Sequence, residues 1–186
     1  MLVVAAVAFT ARASLADHYV VPSGSMQPTV QVGDHVVVNK LAYGLRVPLT
    51  ELYVLDASGP ARGDVVVLSS PEDGKVLLKR VVALPGDRVR VDDGAIEING
   101  APVPIASDGG TVTESLGATR HALDLSSGGG PDFGPVTVPA AHYLVLGDAR
   151  GNSNDGRYFG FVPKRAILGR AAAVVVRSGA PTLLGL

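Results

Sequence analysis

Short apolar runs rich in valine alternate along most of the chain with breaks that contain Gly, Pro and Asp. The runs fall at 35–38, 64–68, 76–84, 89–91, 143–146 and 173–176, and a further extended stretch lies at 18–21. β-Branched runs bounded by turn residues predict strands. Four Gly-Asp pairs, at 33–34, 63–64, 86–87 and 147–148, stand at their ends. Gly there supplies backbone angles closed to other residues, and Asp bonds the neighbouring amides. Past the first few residues no window holds a 3.6-residue apolar period, apart from one helical turn predicted around 163–167. The fold class is therefore mainly β.

The texture changes between 92 and 141. Asp93-Gly94 and Asn99-Gly100 are hairpin-turn signals on either side of 95–98, and a stretch rich in Gly, Ser, Thr and Pro follows from 107 to 135. This segment reads as an inserted subdomain of weak strands and loops. A second polar segment, 46–62, interrupts the strands earlier. The expected organisation is an N-terminal segment 1–16, a β core made of 17–91 and 142–177, the insertion 92–141, and a tail 178–186.

Composition narrows the function classes. With 186 residues, 47% hydrophobic and 18% charged, the chain can pack one domain with an insertion, and disorder is excluded. Its 16 basic and 17 acidic side chains leave a net charge of −1, without the positive field that draws nucleic acid. No nucleic-acid partner is expected. There is no cysteine, and the four histidines (His18, His35, His121 and His142) lack metal-ligand spacing, so neither a metal nor another cofactor is expected. Residues 1–11 carry no charge before Arg12. As a helix they rise about 16 Å, roughly half of a ~30 Å hydrocarbon core. They suit a secretory signal poorly, because the basic opening is missing and the Ala11-Arg12-Ala13 site carries an Arg. A buried N-terminal element and the exit end of a membrane anchor are the other readings.

The chemical signal begins at Pro22-Ser23-Gly24-Ser25-Met26-Gln27-Pro28-Thr29, where two hydroxyls lie in a loop braced by prolines. Such a loop can present Ser25 together with its own backbone N–H, or it can simply be a turn. A serine nucleophile needs a base. His35 opens a strand, and nothing in the sequence turns it back toward Ser25. Lys79 lies in an apolar run, sharing a strand face with Leu77 and Val81, while Leu78, Val82 and Leu84 flank Arg80 on the other face. Burial lowers a lysine pKa and yields a neutral amine near pH 7. The alternative is that Lys79 or Arg80 reaches solvent from an edge strand. The polar, glycine-rich stretch 147–160 contains Asp155 and Arg157, which can pair across a tight turn. Its plain reading is a solvated loop with a weak ion pair.

Taken in order, Pro22-Ser23-Gly24-Ser25-Met26-x-Pro28-Thr29, Arg62-Gly63-Asp64, Lys79-Arg80-Val81-Val82-x-Leu84-Pro85-Gly86-Asp87 and the stretch from Gly147-Asp148 through Asn152-Ser153 to Asp155, Arg157, Tyr158 and Gly160 resemble the sequence boxes of type I signal peptidases. The resemblance covers most of 10–177, and residues 11–15 are similar to the point where that family's membrane anchor emerges, which favours the anchor reading. It implies a signal-peptidase/LexA-like β-barrel core of coiled antiparallel sheets, with a β-rich insertion and a short N-terminal apolar helix. By position it implies Ser25 as nucleophile and Lys79 as general base, a Ser-Lys variant of triad logic. Ser23 and the Ser25 backbone N–H match an oxyanion hole. Ser153 matches the hydroxyl that orients the amine, and Arg80, Asp155 and Arg157 match supporting groups. Val21, Pro22, Met26, Leu77 and Leu78 match the shallow pockets for small side chains of an Ala-x-Ala site. The implied partners are signal peptides of secretory preproteins and the bilayer surface. The implied location is the cytoplasmic membrane, with the catalytic part on its outer face. Ala149 and Gly151 depart from the pattern, standing where many members carry Asn and Asp. A conjugative-transfer or self-cleaving repressor-type peptidase, and an inactive paralogue that binds or assembles, are the competing functions.

Overall fold

The computed structural model describes residues 16–46, 53–56 and 58–186. The anchor and short helix expected at the N-terminus fall almost wholly on residues outside this range, as does part of the polar segment 46–62. In chain order the strands are β1 (Ala16–Val20), β2 (His35–Asn39), β3 (Gly44–Arg46), β4 (Tyr53–Asp56), β5 (Val65–Ser69) and β6 (Val76–Ala83). The next are β7 (Arg88–Asp92), β8 (Ala95–Ile98), β9 (Ala101–Pro102), β10 (Ile105–Asp108), β11 (Thr111–Leu116), β12 (Thr119–Leu123) and β13 (Phe133–Thr137). The last are β14 (His142–Leu146), β15 (Val162–Pro163), β16 (Ile167–Arg177) and β17 (Ala180–Gly185). The protein is mainly β, and each apolar run read from the sequence falls in or overlaps one of these strands.

Eight strands make one antiparallel sheet in the order β1-β2-β16-β5-β6-β14-β15, with β17 added beside β16. The edge strands β1 and β15 do not pair with each other among the described residues, so the barrel implied by the resemblance is a half-barrel. Its organiser is β16, which pairs with β5 from Ile167 to Arg170 and with β2 from Arg170 to Val176, with register shifts in both ladders. Such bulges bend a long strand and curl its sheet. Residues 178–186, expected as a tail, contribute β17 to this sheet.

The inserted region holds a sheet ordered β13-β7-β8-β9 and a second ordered β10-β11-β12. β7, expected in the core, therefore belongs to the insertion's sheet. Val82 and Ala83 of β6 pack with Val89, Val91, Ile96, Leu116, Leu144 and Leu146, so the insertion shares one apolar cluster with β6 and β14. The helical turn expected at 163–167 is a 3-10 turn, Lys164–Ala166. An unexpected helix, α1 (Gly156–Phe159), starts where the Asp155 side chain caps the Arg157 N–H and stops at Gly160, whose φ is 80°. Among the described residues no helix is long and apolar enough to cross a membrane.

Candidate active site

The loop that carries Ser25 runs between β1 and β2 and is held from both ends. Val21 N–H donates to the Asp34 carbonyl (2.9 Å) and Gly33 N–H to the Val21 carbonyl (2.8 Å). Within it Gln27 N–H bonds the Gly24 carbonyl (3.0 Å) and Val30 N–H the Met26 carbonyl (2.9 Å). Met26 and Val30 are buried against Val36, Val38, Val65 and Val67. Full burial of each such side chain contributes about 1.5–3 kcal/mol. At the loop's end Asp34 is buried. Burial pushes its pKa up, but the Arg177 guanidinium and the Gln31 N–H outweigh that and hold it below the ordinary carboxylate range. Arg177 also donates to the Thr29 carbonyl (3.0 Å). A serine so mounted has little freedom.

Strand β6 brings the second group. It pairs with β5 from Val76 to Arg80 and with β14 from Arg80 to Ala83. The edge from Val76 to Lys79 is therefore open on the side away from β5 among the described residues. Lys79 is 3% exposed. Its Nζ donates to Ser25 Oγ at 2.7 Å and to the Leu78 carbonyl at 3.0 Å. Burial lowers its pKa from 10.5 to about 8, while Asp155 and Asp148 pull it partway back. At pH 7 about a tenth of the amine is then uncharged. A groove of about 340 Å³ runs between the segment 21–26 and the segment 76–79, ending on this pair. Val21, Pro22, Ser23, Met26, Leu77 and Leu78 all line it, with Ser23 and Pro22 exposed. Val20 (54% exposed) and Val76 (50%) form its apolar lips.

Arg80, one residue on, faces the opposite way and is also 3% exposed. Its Nε and Nη2 donate to the two carboxylate oxygens of Asp148 (2.8 and 2.7 Å) and its Nη1 to the Gly63 carbonyl (2.7 Å). Thr29 donates its hydroxyl to Asp148 (2.6 Å), tying the Ser25 loop to the same carboxylate. Neither cation of β6 reaches solvent.

The stretch whose plain reading was a solvated loop is largely buried, with Asn152, Asn154 and Tyr158 left exposed. Arg157 grips Asp155 with Nε and Nη2 (both 2.8 Å), and Asp155 accepts the Gly147 N–H (3.0 Å). Arg157 also donates to the carbonyls of Arg150 and Gly129. Ala149 N–H reaches the Ser25 carbonyl (3.2 Å). Ser153 Oγ is buried without a hydrogen-bond partner, so it makes no bond to the Lys79 amine here. A methyl at Gly147 would fall 2.3 Å from that oxygen and 2.4 Å from the Ser25 carbonyl oxygen, which makes Gly the residue that fits between them.

The structure thus joins Ser25, Lys79 and the groove residues, with Asp155 and Arg157 behind them. Sequence reasoning missed the partners of Arg80, namely Asp148 and Thr29, and the contacts of Glu114 and His121 described below. A cation inside an apolar run does demand a buried carboxylate, but nothing local says which one.

A family model described as signal peptidase, peptidase S26, matches residues 1–176. The chain belongs to the signal peptidase family. It is 40% identical to a signal peptidase I of Pseudomonas fluorescens and 38% identical to one of Pseudomonas aeruginosa, in each case over 88% of this chain and 66% of the relative. The chain therefore spans just under two thirds of the length of these relatives. A signal peptidase I of Enterococcus faecalis V583, solved by crystallography, is 28% identical, covers 62% of this chain and 98% of that one, and superposes with a TM-score of 0.42. The departure of this signal peptidase family member at Gly151 has a steric basis. A Cβ there would fall 2.1 Å from the Ser127 carbonyl oxygen, so the 126–128 turn occupies the space a side chain would need. Ala149 is buried at 2% exposure.

Proposed function

We propose that this chain is the catalytic part of a signal peptidase, a serine endopeptidase that cuts secretory preproteins after an Ala-x-Ala site with Ser25 as nucleophile and Lys79 as general base. One observation carries the reading: a buried amine, without a carboxylate partner among the described residues, 2.7 Å from a serine hydroxyl in an apolar groove. When Lys79 is neutral the hydroxyl donates along that contact and the amine takes its proton as Ser25 attacks the carbonyl. The Leu78 carbonyl holds the amine in place. The lysine ammonium then gives that proton to the nitrogen of the breaking peptide bond, the new amino terminus departs to leave an acyl-enzyme, and the lysine, neutral again, activates the water that hydrolyses it. Ser23 and the Ser25 N–H are read as donors to the developing oxyanion. Ser153 is read as a second hydroxyl for the amine, a role that requires it to rotate from its present position and that Ser153→Ala tests. Arg80, Asp155 and Arg157 act as supports.

The open edge of β6 suits a substrate strand. An extended peptide would extend the sheet there, drawing affinity from main-chain bonds while Val21, Met26, Leu77 and Leu78 admit only small side chains. Membrane attachment through the N-terminal segment and a site on the outer face of the cytoplasmic membrane belong to the same reading.

Purified protein incubated with a secretory preprotein tests it. Cleavage should follow an Ala-x-Ala site, and Ser25→Ala and Lys79→Ala should each lower kcat/KM at least about 10⁴-fold with the fold retained. Residual cleavage near wild type in either variant would remove the assignment. Because only the neutral amine accepts a proton, kcat/KM should rise with pH through an acidic limb near 8.

A further inference from the structure

We propose that Glu114 and His121 of the inserted sheet are positioning residues for the Ser25–Lys79 pair, acting through Asp148 and Arg150. The proposal rests on the peptidase reading. Glu114 and His121 lie directly opposite each other in the β11–β12 ladder, with side chains 0% and 2% exposed. His121 Nε2 sits 3.3 Å from Glu114 Oε2 and 3.7 Å from Asp148 Oδ1, between two carboxylates. Glu114 Oε2 also accepts from Arg150 Nη2 (2.6 Å), and Arg150 reaches the carbonyls of Gly147 and Gly94. Burial pushes the Glu114 pKa up, but His121 and Arg150 outweigh it and keep the carboxyl below its ordinary range.

Backbone contacts run in parallel. Asp124, just past β12, bonds Asp148 through its N–H and Arg150 through its carbonyl (both 3.0 Å). The insertion therefore grips 148–150, and that segment holds Arg80 through Asp148 and the Ser25 carbonyl through Ala149. Among the described residues neither ring nitrogen of His121 nor Glu114 Oε1 makes a hydrogen bond of good geometry. An incompletely bonded buried pair is a poor way to stabilise a sheet, since apolar residues of equal volume serve as well or better. What an apolar pair could not do is fix the Arg150 guanidinium through Glu114 and set an imidazole beside Asp148, the carboxylate that holds Arg80 next to Lys79.

Kinetics on a preprotein, joined to an NMR titration of Lys79 through its ¹³Cε, distinguish positioning from packing. The charged groups around His121 are Glu114, Asp148, Arg150 and Arg80, with Arg120 and the C-terminal carboxylate of Leu186 lining the same pocket, and Asp148 is one of the two carboxylates whose field favours the Lys79 ammonium. His121→Leu removes the imidazole that stands between the two carboxylates. Lys79 should titrate about half a pH unit higher, and kcat should fall about tenfold with KM within about twofold. His121→Gln, which keeps an N–H donor, should recover most of the loss. Glu114→Gln should lower kcat similarly, and Arg90→Ala, on the exposed face of β7, should change nothing. If kcat falls only as far as the folded fraction while the Lys79 titration stays in place, the pair is merely structural and the proposal fails. It fails equally if His121→Leu and Glu114→Gln keep wild-type kcat. Should His121→Leu not fold, His121→Gln and Glu114→Gln decide by the same criteria. If the wild-type chain cleaves no preprotein, the peptidase reading falls, and the Lys79 titration still decides whether His121 couples to the amine.

Discussion

Two buried cations sit side by side on β6 and meet opposite surroundings. Arg80 enters a fully ionic environment, with two bonds to Asp148 and a third to a carbonyl. Lys79 enters an apolar groove, where among the described residues it finds one hydroxyl, one carbonyl and no carboxylate in contact. The desolvation cost is similar in kind; what differs is compensation. Where compensation is complete, the charge is fixed and the residue organises structure. Where it is withheld, the proton becomes mobile and the residue acquires chemistry.

The contrast breaks most sharply at Arg80. Arg80→Met strands the Asp148 carboxylate in the interior and should destabilise the fold by about 3–5 kcal/mol in urea denaturation. Adding Asp148→Leu should return much of that loss, and an additive double variant would show that the pair is not coupled. Lys79 should behave in the reverse sense. Its pKa is near 8 when folded and 10.5 in the ordinary state, so between these values the unfolded chain binds more protons. The penalty of the buried ammonium is thus full below pH 8 and fades as pH rises toward 10.5. Lys79→Met should raise stability at pH 7 by about 3 kcal/mol, and the gain should vanish at the alkaline end. A gain independent of pH would mean that the amine is not desolvated. A smaller effect is expected at Gly151, where Ala meets the Ser127 backbone. Gly151→Ala should cost about 2 kcal/mol, and an unchanged melting temperature would place the 126–128 turn farther away.

The strands were legible because β-branched runs end at Gly-Asp turns, and β6 emerged where 76–84 predicted it. Ser25 and Lys79 were legible as candidates: one in a proline-braced loop, the other set among leucines and valines. The plain residue reading left each open, and it was the order of the motifs that joined them. Asp148 was visible only as half of a turn signal. Its partnership with Arg80 spans 68 positions, and no local pattern encodes a contact at that separation. Glu114 and His121 were hidden for another reason: although they face each other across one hairpin, β11 lies in a stretch whose Gly, Ser and Thr content reads as loose surface. The plain reading of 147–160 took polarity for solvent, whereas its arginines are buried: Arg150 against Glu114 and the Gly94 carbonyl, Arg157 against its neighbour Asp155 and the Gly129 carbonyl.

The unpaired margin of β6 has a cost in the resting molecule. Exposed N–H and C=O groups invite any extended chain, including a second copy of the same protein, and the bare valines at the lips of the groove add to the attraction. The approach to that margin is Pro71-Glu72-Asp73-Gly74-Lys75, an exposed turn in which Lys75 and Asp73 pair at 2.6 Å. A proline and three charges at the entrance are the kind of gatekeeping that discourages edge-to-edge stacking. Neutralising them should make self-association at high concentration visible by light scattering, long before the fold itself is lost.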